Sequence, residues 1–119
     1  MNLAANALTA LVALLHLYFL VLEMFLWTKP YGRRVFRLTP EQAQATKSLA
    51  ANQGLYNGFL AAGLGWGLLA GADGYTIKVF FLSCVIIAGI FGAATANRRI
   101  LWVQAVPGAV ALWLVCAAA

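Results

Sequence analysis

Residues 3–27 read LAANALTALVALLHLYFLVLEMFLW, a run in which Glu23 alone carries charge. As a helix rising 1.5 Å per residue, this stretch is roughly 37 Å long, enough to cross a bilayer core of ~30 Å with some tilt. No Lys or Arg precedes the run, and it exceeds the apolar region of a signal peptide, so it is read as a retained first helix. The remainder is of the same kind. The chain has 119 residues, 64% of them hydrophobic and 9% charged, with a mean hydropathy of +0.86. A soluble domain covers its surface with about a quarter charged residues. The composition therefore predicts an all-α integral membrane protein, a four-helix bundle forming one domain over residues 1–119. It excludes a separate soluble catalytic domain.

Working outward, Lys29-Pro30-Tyr31-Gly32 reads as the stop of the first helix. A second helix is predicted over about 40–72, because Thr39 suits a cap, Pro40 the first helical position, and Gln42 the capping-box partner three residues on. Its first turns, through Lys47, are polar and are expected to project into the cytoplasm. Asp73-Gly74 makes a turn, a third helix covers about 76–96, Asn97-Arg98-Arg99 turns again, and a fourth covers about 101–118. Of the eight Lys and Arg, all but Lys78 fall before the apolar part of the second helix or in the last turn. The positive-inside rule then puts those loops in the cytoplasm and both termini outside, in a bacterial cytoplasmic (inner) membrane. Trp27 and Trp102 fall near the inner interface, Tyr75 and Trp113 near the outer one. The net charge of +5 is explained by these loops and not by nucleic-acid binding. Cys84 and Cys116 lie in apolar runs at different depths, so neither a disulfide nor a metal site is expected.

Three features invite a functional reading. Asn2, Asn6, Thr9, Ala13, His16, Leu20 and Glu23 step by four and three along one face of the first helix. An ionisable residue at membrane depth is a functional hypothesis by default, with an interhelical hydrogen bond as the plainer alternative. On the second helix, Asn52-Gln53-Gly54-Leu55-Tyr56-Asn57-Gly58 packs three amides and a phenol into hydrocarbon, where each needs a partner. Gln104 falls at similar depth, and Arg98 and Arg99 lie within reach of Glu23. Glu23, Asn52, Gln53, Tyr56, Asn57 and Gln104 are expected to form either one pocket opening to the cytoplasm or simple amide links between helices. Lastly, Gly54 and Gly58 form one row and Gly63, Gly67 and Gly71 another, on nearly opposite faces. That marks a helix wedged between two partners, one of which can belong to another subunit. Phosphate loops, metal-ligand pairs and nucleophile elbows are absent, and no cofactor is indicated. A haem would have only His16 as an axial ligand.

The stretches His16-Leu-Tyr-Phe through Glu23-Met-Phe-Leu-Trp27, Asn52-Gln-Gly-Leu-Tyr-Asn-Gly-Phe-Leu60, and Trp102-Val-Gln-Ala-Val-Pro107 resemble a family of small bacterial membrane proteins. That family is known as domain of unknown function thirteen-oh-four. The resemblance covers nearly the whole chain and implies four helices without an activity. More distantly, the chain is similar to the MAPEG superfamily of eicosanoid and glutathione metabolism, through Asn52, Gln104-Ala-Val-Pro107 and the basic first loop ending in Thr-Pro-Glu. That likeness implies a homo-oligomer, a trimer, with an inter-subunit site near the cytoplasmic side. Glutathione as a ligand is implied by this likeness alone, and the places where that superfamily carries arginines and a Glu hold Ala50, Ala51 and Leu55. Three functions stay open: a small-amphiphile-binding or enzymatic membrane protein, a transporter or channel lined by the first-helix stripe, and a structural or partner-binding subunit.

Overall fold

The computed structural model describes residues 2–119 as an all-helical chain. Helix α1 runs Leu3–Met24, α2 Pro30–Phe36, α3 Pro40–Leu69, α4 Gly74–Thr95 and α5 Val106–Ala117. A short 3-10 turn, Gly71–Asp73, joins α3 to α4, and one stretch of wider π-helical backbone, Leu101–Ala105, leads into α5. Five α-helices thus replace the expected four. The additional one, α2, lies in the basic loop, where Pro30 occupies its first turn and starts a helix instead of ending one. The first helix also stops at Met24. Beyond it, the amides of Phe25 and Leu26 both bond the carbonyl of Val21, closing the end in a widened turn. Gly71, at φ +63°, ends α3 before residue 72 by taking a left-handed conformation.

Two helices among the described residues, Leu3–Met24 and Gly71–Thr95, are long and apolar enough to cross a membrane, and Leu101–Ala117 is a shorter apolar helix. Helix α3 has the length, yet Glu41, Gln42, Gln44, Lys47, Asn52, Gln53 and Asn57 dilute the apolar character of its first two-thirds. Buried shares of only 28% and 17% in the most apolar windows of the two qualifying helices differ from what the core helix of a soluble protein shows.

By internal contacts the chain falls into two compact units, one of residues up to Leu14 with Leu60–Ala119, the other of Leu15–Phe59. In the first, a core of Ala5, Val12, Ala13, Leu64, Leu82, Val85, Ala111 and Val115 is built largely of small side chains. The bulky ones stand outside it: Trp66, Phe80, Ile87, Phe91, Trp102 and Trp113 are all exposed. Small residues inside with large apolar ones outside is how helices pack when the surroundings are themselves apolar. Hydroxyls are satisfied within their own helices, Thr9 Oγ1 donating to the Ala5 carbonyl (2.8 Å), Ser83 to Val79 (2.7 Å) and Thr95 to Phe91 (2.7 Å).

The second unit combines the later turns of α1, α2 and the first half of α3. Thr39 and Gln42 cap α3 reciprocally: the Gln42 amide donates to Thr39 Oγ1 (3.1 Å) and the Thr39 amide to Gln42 Oε1 (2.9 Å). Helix α2 ends on Arg37 at φ 56°, ψ 49°. There the amides of Arg37 and Leu38 bond the carbonyls of Arg34 and Arg33 at 3.4 and 2.9 Å, the Schellman arrangement. Trp27 ties the loop to α3, its Nε1 donating to Thr46 Oγ1 at 3.0 Å while its ring lies 4.7 Å from that of Phe36.

Candidate functional site

The buried face of α3 in this unit is set by Ala43, Ala50, Gly54 and Asn57, spaced by seven, four and three so that they share one side. Gly54 is what lets α1 lie against that side. A Cβ there would stand 2.6 Å from Met24 Cγ and 3.2 Å from both Glu23 Cβ and the Leu20 carbonyl oxygen. One turn further, Asn57, only 5% exposed, donates from Nδ2 to Glu23 Oε1 at 2.5 Å. The contact joins α1 to α3. Glu23 is half-buried. His16, two turns earlier on the same α1 face, is fully buried, its ring edge-on to Phe19 with centroids 5.8 Å apart. Near the same helix, the hydroxyls of Tyr18 and Tyr31 meet at 2.5 Å, linking α1 to α2.

The other candidates are placed differently. Asn52, Gln53 and Tyr56 are exposed, on the sides of α3 away from the Gly54–Asn57 line. Gln104 is half-buried on the π-helical stretch before α5, where Pro107 supplies no amide to a regular helical ladder. Arg98 is exposed in the turn whose Asn97 Oδ1 accepts the Arg99 amide at 2.9 Å. Of the helix-1 stripe, Thr9, Ala13 and His16 are buried. Among the described residues no buried side-chain nitrogen or oxygen lacks a hydrogen-bond partner. Nor do any three His, Cys, Asp or Glu side chains there come together as a metal site.

Chemically, this is a carboxylate anchored through one oxygen in an apolar helix pair. Asn57 occupies Oε1, and Oε2 remains as an acceptor for a donor group or cation. The sequence singles out Glu23 and Asn57 but does not separate Asn57 from its neighbours. The spacing of Ala43, Ala50 and Gly54 is the signal that does so.

An all-helical chain with two helices of membrane-spanning character, the first of them linked to α3 by a carboxylate–amide contact, defines a class without an activity. Residues 10–116 match the family described as "Protein of unknown function (DUF1304)", and the chain belongs to that family. It is also similar to "Uncharacterized protein YpaA" of Lactococcus lactis subsp. lactis (strain IL1403). The two are 29% identical over 106 residues, covering 87% of this chain and 89% of that protein. No solved structure matches. These matches support the unknown-function family and do not extend to the MAPEG superfamily.

Proposed function

We propose that the chain is an integral protein of the bacterial cytoplasmic membrane that binds the polar end of a small amphiphile at Glu23 and Asn57. In this reading α1, α3, α4 and the stretch 101–117 cross the bilayer, with the arginine-rich turns in the cytoplasm. The observation that carries it is the 2.5 Å bond from Asn57 Nδ2 to Glu23 Oε1. Two helices in hydrocarbon can be linked more cheaply by a pair of neutral amides, so a carboxylate that keeps one oxygen for a further donor favours a binding role. The complementary ligand carries an amine or hydroxyl on an apolar tail. A pore along the α1 stripe would require Thr9 and His16, both buried, to line water.

The same proposal covers assembly. Asn52, Gln53 and Tyr56 form an exposed amide and phenol face on α3, which in a bilayer is stable only against water or another protein surface. We take that surface to be a second copy, making a homo-oligomer. Native mass spectrometry of the detergent-released protein tests both parts. A small-molecule adduct retained by the wild type and lost by Glu23→Gln supports the site. Equal retention by Glu23→Gln, or no adduct on either, sinks it. A bare monomer under mild activation removes the assembly.

A further inference from the structure

Within the unit of residues up to Leu14 and Leu60–Ala119, the start of α1, the turn before α4 and the end of α5 line an open cleft of ≈ 420 Å³. Its polar side chains come from Asn2, Asn6, Tyr75 and Lys78, and Ala118 and Ala119 line it beside them. Lys78 is built into place. Its stem lies across the bare Cα of Gly67, where a Cβ would stand 2.6 Å from Lys78 Cγ. Its Nζ donates to Asn6 Oδ1 at 3.1 Å. An ammonium carries three donors, and this bond uses one. Asn2 accepts the Ala5 amide on Oδ1 at 3.1 Å, which caps the start of α1 and leaves its side-chain NH₂ as a donor. The positive end of the α1 dipole lies at the same place. A cation, an amide donor and a helix start thus converge on a space within the usual range for small-ligand sites.

We propose that this cleft is an anion-binding site, taking a phosphate group held by Lys78 and Asn2, independent of the Glu23–Asn57 reading. Phosphate chemistry has two sources here, the headgroup of an anionic phospholipid or a free phosphate, and the experiment separates them. Full-length protein in neutral detergent is titrated with phosphatidylglycerol, and separately with inorganic phosphate, and bound adducts are counted by native mass spectrometry. Wild type and Lys78→Arg are expected to bind, and Lys78→Met to bind at least tenfold more weakly. A phosphatidylglycerol adduct that millimolar inorganic phosphate does not displace identifies the headgroup. Inorganic phosphate binding without lipid identifies the free anion. If Lys78→Met does not fold, Ala72→Trp, blocking the mouth from an exposed lining position, supplies the same readout. The proposal is overturned if the wild type binds neither probe, or if Lys78→Met (or Ala72→Trp) binds as the wild type does.

Discussion

At the scale of single residues, two glycines separate close approach from mere flexibility. A Cβ on Gly32 would stand 1.9 Å from the Leu26 carbonyl oxygen, whereas one on Gly65 meets nothing within 4 Å. Gly32→Ala must therefore displace backbone, at a cost of about 1–3 kcal/mol or more. Gly65→Ala should instead raise stability by about 0.5–1 kcal/mol through helix propensity. Reversible unfolding in mixed SDS micelles, followed by circular dichroism, gives both signs. The Glu23–Asn57 bond makes a sharper case. Asn57→Leu removes the donor and leaves a half-buried carboxylate oxygen unpaired, costing about 1–3 kcal/mol. The double variant Glu23→Leu/Asn57→Leu removes both partners, and should recover most of that loss. A double-mutant cycle that finds the two sites additive would show that the contact does not couple the helices. Glu23, His16 and Asn57 were legible as polar intrusions in apolar runs. Which of Asn52, Gln53, Tyr56 and Asn57 faces Glu23 was not, because helical periodicity sorts residues into faces but does not say which face meets the partner helix.

At the scale of elements, the start of α3 was legible to the residue because Thr39, Pro40 and Gln42 act locally. Their geometry needs nothing beyond the first turn, and the reciprocal bonds at 3.1 and 2.9 Å are formed. Thr39→Ala should cost about 1 kcal/mol, and Gln42→Ala should also destabilise, since it removes the other half of the box. Helix α2 was not legible. Pro30 and Gly32 both read as breakers, yet Pro30 is compatible with a first helical turn, and Gly32 is there for its contact with Leu26 and not for a turn. The left-handed Arg37 ends that helix where Gly is the usual residue. Holding an L-residue there costs about 1–2 kcal/mol, so Arg37→Gly is expected to stabilise the protein by about 1 kcal/mol in the same unfolding measurement. A neutral or negative result would mean that the Arg37 side chain contributes a compensating contact. The two glycine rows were also legible, and except for Gly71, which lies beyond α3 and meets nothing within 4 Å, they find partners inside the chain. Gly54 and Gly58 lie against Leu20 and its neighbours on α1, and Gly63 and Gly67 against Phe81 and Lys78 on α4. Spacing alone does not distinguish a partner on the same chain from one on another.

At the scale of the whole molecule, the distribution of residue sizes argues for the bilayer more strongly than hydropathy does. Leu64, Leu82 and Val85 are fully buried, while many large apolar side chains stand outside, Leu69 at 89% and Trp113 at 69% exposed, a surface suited to lipid or to another protein. A bilayer then requires a direction, and the cations supply one. Arg33, Arg34, Arg37, Arg98 and Arg99 flank the two turns expected on the same side, whereas the Gly71–Asp73 turn carries an acid and only Lys78 follows it closely. Moving a loop that carries several arginines across the membrane is disfavoured, so one orientation should dominate. Single cysteines introduced at Arg34, Arg98 and Ala72, in a chain with Cys84 and Cys116 replaced by alanine, read this out with a membrane-impermeant maleimide. In intact bacterial cells the Ala72→Cys chain should be labelled, and the Arg34→Cys and Arg98→Cys chains only after the membrane is opened. Labelling of positions 34 and 98 from opposite sides would break the even number of crossings between them. Because α3 and α4 both lie in that interval, such a result would remove α3, the helix richest in polar side chains, from the set that spans.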